Sequence, residues 1–248
     1  MADKMNALVT GANKGIGFAI AGQLGERGYR IWLGCRDETR GRQAADALQA
    51  EGIEAEPLKI DITSDDSVAA AVSALSERIG ALDVLINNAG MHFGFTPPTA
   101  EEPLDQMATM FEVNALGAVR VTQNFLPLLR RAEAARIVMM SSGLGSISAT
   151  LDMTRENWTV PMAGYCASKA ALNMYAAKFA KDLAPEGIKV NLADPGLTAT
   201  DLTGGMGTRT PEEAARVAVT LATLGPLGPT AGFYCGAELS DGIAPLGW

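Results

Sequence analysis

The sequence predicts a doubly wound α/β domain: a parallel sheet of about seven strands with helices on both faces. Three observations predict it. Short runs rich in Val, Ile and Leu alternate along the chain with longer, Ala-rich runs of helical period. The stretches between strands reach about 10–20 residues, enough for right-handed crossovers that set strands parallel and cover both sheet faces. No repeat, low-complexity tract or charge block divides the 248 residues, a length that suits one domain spanning 1–248.

The elements follow in order. Residues 7–10 (ALVT) read as a buried strand, and 15–28 as a helix ended by Gly28. A strand at 30–35 (RIWLGC) leads to a helix over 39–52 that Gly52 stops. A strand at 55–61 precedes a helix begun by Ser64. Asp65 and Asp66 fall in its first turn, where acids suit the helix dipole. The fourth strand is 82–88 (LDVLINN), followed by helical stretches at about 104–113 and 115–131. Strand five is 135–142 (ARIVMMSS), then come a helix over 163–184 and strand six at 188–194. A helix begun by Pro211 and a strand near 232–235 complete the set. In this architecture ligands bind beyond the carboxyl ends of the strands, so residues just after each strand are the functional candidates.

Composition excludes several function classes. No stretch approaches the ~18 uninterrupted apolar residues of a membrane span, and the N-terminal residues lack a secretory pattern, so a cytoplasmic protein without membrane contact is expected. A net charge of −8 disfavours nucleic acid, so an anionic ligand needs a local basic patch. Cys35, Cys166 and Cys235 are widely spaced, and the single histidine, His92, reads as a loop or pocket-wall residue. Neither a disulfide framework nor a metal site is expected.

The first strand runs into TGANKGIG, with Gly11, Gly15 and Gly17 between a strand and a helix. Such glycines allow a tight turn and bring backbone N–H groups to a pyrophosphate at a helix N-terminus, which makes the fold a dinucleotide-binding, Rossmann-type one. The sequence is not a mononucleotide P-loop, because Lys14 is followed by Gly. After the second strand stand Arg36 and Arg40 rather than a ribose-binding acid. Guanidinium groups donate charged hydrogen bonds to a 2′-phosphate, and Lys14 can reach the same side, so NADPH is favoured over NADH. The rival reading makes Arg36 and Arg40 a solvated helix start partnered by Asp37 and Glu38.

Tyr165 and Lys169 stand four apart, on one face of a helix. An ammonium near a phenol lowers its pKa from ~10 toward the range of an acid–base group. Ser142, at the end of strand five, is placed to hydrogen-bond a carbonyl.

Taken in order, TGANKGIG, Asp61, NNAG at 87–90, Asn114, the serine pair 141–142, YCASK at 165–169 and DPGLTAT at 194–200 resemble the short-chain dehydrogenase/reductase family, over nearly all of the chain. TGANKGIG with GCRDETRG looks most like its NADPH-dependent carbonyl reductase branch. The resemblance implies roles. Tyr165 exchanges the proton with the carbonyl oxygen, Lys169 binds the nicotinamide ribose and depresses the tyrosine, and Ser142 orients the carbonyl. Asn114 holds a relay water. Asn13, Lys14, Gly15 and Ile16 lie in the cofactor turn, Arg36 and Arg40 on the 2′-phosphate, and Asp61 and Ile62 on the adenine. Asn88, Ala89 and Gly90 line the cleft, and Pro195, Gly196, Leu197 and Thr200 cover the nicotinamide amide. No metal is implied. Asp194 departs from the small or neutral residue many relatives carry.

A reversible reductase of ketones, aldehydes or quinones is the activity implied. Its alternative is a non-catalytic NADP(H)-binding sensor, which the intact Asn–Ser–Tyr–Lys set opposes. Leu144, Leu151, Met153, Trp158 and Met162 suggest a hydrophobic substrate, with His92 and Phe93 as further wall candidates and 197–210 as a lid. Ser142 and Tyr165 stand 23 positions apart, against about a dozen in the family's shorter members. The 143–162 segment is therefore an extended active-site loop that either walls the pocket or packs over the helix at 163–184. The family pairs through helices at 104–131 and 163–184, so a homodimer or homotetramer is implied, although long inserts also occur in monomers.

Overall fold

The computed structural model describes residues 4–94, 97–154, 156–236 and 243–248. Among these residues eight strands form one sheet: β1 (Asn6–Thr10), β2 (Arg30–Cys35), β3 (Ala55–Lys59), β4 (Val84–Asn87), β5 (Arg136–Met140), β6 (Lys189–Asp194), β7 (Phe233–Cys235) and β8 (Ala244–Pro245). Their spatial order is β3-β2-β1-β4-β5-β6-β7-β8. The first seven are parallel, with Leu8 of β1 paired to Trp32 on one side and Leu85 on the other. β8 adds an antiparallel edge. The sequence predicts only seven strands, because a two-residue Ala-Pro strand carries no periodicity.

Among the described residues there are eight α-helices: α1 (Gly15–Glu26), α2 (Glu38–Ala50), α3 (Asp65–Ser76), α4 (Leu104–Phe111), α5 (Gly117–Leu129), α6 (Ile147–Thr150), α7 (Ala163–Leu183) and α8 (Pro211–Ala222). Val68, Phe125 and Leu172 fix α3, α5 and α7 to one face, and Ile20, Leu48 and Val217 fix α1, α2 and α8 to the other. β4 and β5 are buried along their whole length, which is why they read as continuous apolar runs.

Capping follows the sequence. The Ser64 hydroxyl accepts from the Ser67 N–H, and Thr210 and Glu213 form a reciprocal capping box around Pro211. The two helical stretches expected at 104–131 are one continuous rod. A π-helical turn at Glu112–Leu116 joins α4 to α5 where the break was expected. No helix of the described residues is long and apolar enough to cross a membrane. Of the regions singled out in the sequence, Arg155 in the 143–162 loop lies outside the described residues.

Candidate active site

The strand order reverses between β1 and β4, and a cavity of about 540 Å³ opens beyond the carboxyl ends of β1 to β6. Gly11, Asn13, Lys14, Gly15, Ile16 and Gly17 form its floor. Gly15 has φ +57°, and a Cβ at Gly17 would collide with the Asn88 amide and the Gly11 carbonyl. Both positions therefore demand glycine. α1 begins without a side-chain cap and with no acid in its first turn, so its leading N–H groups remain available to an anion.

Asn88 ties this floor to the neighbouring strand. Its amide nitrogen donates to the Thr10 carbonyl at 2.8 Å and the Gly11 carbonyl at 3.2 Å. The N–H groups of Asn88 and Ala89 donate to Thr10 Oγ1 at 3.0 and 3.1 Å. Arg36, Asp61, Ile62, Gly90, Pro195 and Thr200 also line the cavity. Burial opposes ionisation of Asp61, but bonds from Thr63, then the Arg36 and Arg120 charges, hold its carboxyl below the usual range. Arg36 makes no ion pair among the described residues. Arg40 lies outside the cavity wall, on the first turn of α2, with its Nε 3.6 Å from Asp37. Glu38 pairs instead with Lys59. Gly196 packs against the Arg209 guanidinium, and Leu197 is largely exposed, so neither lines the cavity.

At the other end, Tyr165 and Lys169 share one face of α7 and both reach the cavity. The Ser142 hydroxyl accepts from the Leu144 N–H at 3.2 Å and acts on the Tyr165 phenol from outside the cavity wall. Lys169 is buried, its Nζ donating to the Met140 carbonyl at 2.8 Å and lying 5.8 Å from the tyrosine ring centre. Asn114 sits in the π turn. Its Oδ1 accepts from Met91 N–H at 2.8 Å, and its Nδ2 donates to Met91 O and Ser168 Oγ at 2.9 and 3.0 Å. The half-buried His92 meets Tyr165 edge-on, with ring centres 5.6 Å apart.

The electrostatics correct one expectation. Burial pushes the Tyr165 phenol above its ordinary value; the Ser142 hydroxyl opposes this, while Asp194 and Cys166 add to it. Burial brings Lys169 down to about 8, against the pull of Asp194. The expected depression of the phenol by Lys169 is therefore not a property of the protein alone. Burial dominates the phenol, and the neighbouring ammonium is directed at the Met140 carbonyl.

The sequence model of the family described as short chain dehydrogenase matches residues 5–210. The chain belongs to this family. The short-chain dehydrogenase anuI of Penicillium roqueforti is 38% identical to it over 88% of each chain. Salutaridine reductase of Papaver bracteatum is 31% identical, over 94% of this chain and 95% of that one. The NADPH-bound carbonyl reductase from chicken fatty liver has 25% identity over 99% of both chains, at a TM-score of 0.85.

The short-chain dehydrogenase site rests on three side chains that sequence reasoning did not single out. Asn173, a further turn along α7 from Lys169, accepts from Ser141 Oγ at 2.5 Å and donates to the Gly145 carbonyl at 3.1 Å. Ser168 donates to the Tyr165 carbonyl at 2.7 Å. Both are polar groups on the buried stripe of α7, a signal present in the sequence. Glu102 is the third. It is 5% exposed, and its Oε2 accepts from Gly164 N–H at 3.0 Å, at the first turn of α7. Met162 enters that turn at φ 99°, in the left-handed region. Nothing local in sequence links position 102 to 164.

The 143–162 loop comprises a 3₁₀ turn at Gly143–Gly145, α6, and a 3₁₀ turn at Glu156–Thr159. Ser148 N–H and Oγ both donate to the Trp248 carbonyl, at 3.1 and 2.8 Å, anchoring its first half. Leu151, Met153 and Trp158 are 69%, 72% and 50% exposed.

Proposed function

We propose that this short-chain dehydrogenase is an NADPH-dependent reductase that converts a ketone, aldehyde or quinone carbonyl to an alcohol, reversibly. One observation carries the reading: Tyr165 and Lys169, a turn apart on one helix, reach the same cavity that the glycine-rich turn and Arg36 open onto. The uncapped start of α1 and the glycine floor fit a pyrophosphate. Arg36, with Arg40 and Lys14 beside it, fits a 2′-phosphate, and Gly90 and Thr200 suit the nicotinamide end. A nicotinamide dinucleotide bound there supplies the hydride.

The chain's own residues do the rest. Ser142 donates a hydrogen bond to the carbonyl oxygen and holds it against Tyr165. The phenol gives that oxygen its proton as the carbonyl carbon is reduced, and recovers a proton from solvent to complete the cycle. A phenol kept protonated by burial is in the right state to act as the acid. Lys169, once it leaves the Met140 carbonyl for a ribose hydroxyl, brings its ammonium to the phenolate as it forms. Asn114 fixes the Met91 backbone and Ser168, and through Ser168 the Tyr165 backbone. The NADPH-bound carbonyl reductase neighbour supports the cofactor choice.

The test is Tyr165→Phe. Turnover of carbonyl compounds with NADPH should fall by about 10²–10⁴-fold, while NADPH binding, followed by cofactor fluorescence, stays within a factor of two. Retained reductase activity would falsify the assignment. Absence of turnover in the wild type across a broad carbonyl panel, with NADPH still bound, would favour a sensor.

A further inference from the structure

The Lys14 Nζ lies 2.7 Å from Asp201 Oδ2, joining the glycine-rich turn to a 3₁₀ turn at Asp201–Thr203 that is 187 positions away in sequence. Both residues line the cofactor cavity together with Arg36. Just before Asp201, the Thr200 methyl group sits 3.5 Å from where a Cβ on Gly15 would lie, so this part of 197–210 rests directly on the turn. The segment is footed at its base. Ala199 N–H donates to the Arg209 carbonyl at 2.9 Å, and the Arg209 guanidinium donates to Pro195 O at 3.1 Å. Gly204 and Gly205, at φ 63° and 81°, follow Asp201. Asp201 is thus an acid carried on the tip of a tethered loop.

The cations around it matter more than the loop. The Asp201 carboxyl is held below its ordinary range first by the hydrogen bond from Lys14, next by the Lys14 charge, and also by Arg40. Two of the three basic residues assigned to the 2′-phosphate therefore act on one carboxylate. A carboxylate and a phosphate monoester ask for the same donors, so the two groups compete for them.

We propose that Asp201 is a built-in competitor of the cofactor's 2′-phosphate: its carboxylate occupies Lys14 in the free protein, and a 2′-phosphorylated dinucleotide displaces it. This rests on the NADPH reading above. Two consequences follow. Asp201 tempers the preference for NADPH over NADH, because only the phosphorylated cofactor has to take Lys14 from it. Cofactor binding also releases the 200–205 segment from the glycine-rich turn, freeing it to move at the mouth of the site. The pair is exposed, with side chains 57% and 77% accessible. Its removal is therefore worth no more than about fivefold in affinity, the ordinary range of a surface ion pair.

The experiment is direct titration of the full chain with NADPH and with NADH, without substrate, at low ionic strength. Asp201→Asn should tighten NADPH about two- to fivefold and leave NADH unchanged, and the gain should shrink at high salt. Asp201→Ser should repeat the result, with melting temperatures confirming that both variants fold. In a Lys14→Met background, Asp201→Asn should have no effect on NADPH. Weaker or unchanged NADPH binding overturns the proposal, and so does equal tightening of both cofactors, which would place the effect on the loop rather than the phosphate. A wild type that binds NADH as tightly as NADPH overturns the cofactor reading itself. An NADPH-selective wild type with an indifferent Asp201→Asn overturns only the competition.

Discussion

The two ends of the cleft are built differently. At the cofactor end, the turns after β1 and β4 are tied to each other: Asn88 holds Thr10 and Gly11, Thr10 holds Asn88 and Ala89, and no side chain fits at Gly17. At the substrate end, the 143–162 and 197–210 segments carry Leu151, Met153, Leu197 and Met206 more than half exposed. Tyr165, Lys169 and Ser142 stand at the seam, where Lys169 donates to the Met140 carbonyl and Asn173 links Ser141 to Gly145. The contrast separates two tasks. On the proposed function, dinucleotide binding imposes backbone geometry that the strand ends must meet, whereas substrate choice falls to loops with exposed apolar side chains.

The largest expected effect that sharpens this contrast is at the rigid end. Replacing Arg36 and Arg40 together with Gln should weaken NADPH roughly 10- to 100-fold, the loss of one charged hydrogen bond of about 1.5–3 kcal/mol. NADH affinity should hardly change, as measured by parallel fluorescence titrations. Because Arg40 stands outside the cavity wall near Asp37, the Arg36→Gln change alone should account for most of the loss. Equal losses for both cofactors would return the pair to a solvated helix start.

An effect of about tenfold is expected at the seam. Glu102 reaches across from the approach to α4 and accepts from Gly164 N–H, one residue before Tyr165. A Cβ at Gly164 would press on Met110 Cε and Glu102 Oε1, so the contact is close as well as buried. Glu102→Ala leaves that N–H without its acceptor beside the left-handed Met162, and the first turn of α7 can relax. kcat should fall about tenfold, with a loss of roughly 1–3 kcal/mol in stability, while NADPH affinity holds because Lys169 is fixed a turn deeper. Glu102→Gln keeps an acceptor and should restore most of kcat. If Gln is as damaging as Ala, an acceptor to Gly164 is not what Glu102 provides.

How far the sequence could be read divides along the same seam. The strands buried on both faces announce themselves as apolar runs, and the glycine-rich turn, NNAG and Tyr165–Lys169 are local patterns whose chemistry depends on spacing alone. Asn114 came from the family resemblance alone, and the π turn that carries it had no signal in the sequence. Glu102 was not, because its partner lies 62 positions away and no periodicity connects them. Lys14–Asp201 escaped for the same reason. The state of Tyr165 escaped for another: spacing shows that an ammonium is near, but only the fold shows that burial raises the phenol. β8, two residues long, offered no period to detect.

The smallest expected effect tests the loose end. Met153 and Trp158 are exposed, so replacing them with Ser and Ala should leave melting temperature and NADPH affinity nearly unchanged. If the 143–162 loop closes over substrate, those side chains bury part of their apolar surface on a bulky ketone. Partial burial of one such group, out of the ~1.5–3 kcal/mol available for a complete one, corresponds to a roughly three- to tenfold rise in KM. The rise should be larger for bulky apolar carbonyl compounds than for small ones, with kcat preserved because Ser142 and Tyr165 are anchored outside the loop's second half. KM values that do not move across a graded series of ketones would reassign the loop to a packing role. The rigid end of the cleft would then have to supply substrate choice as well.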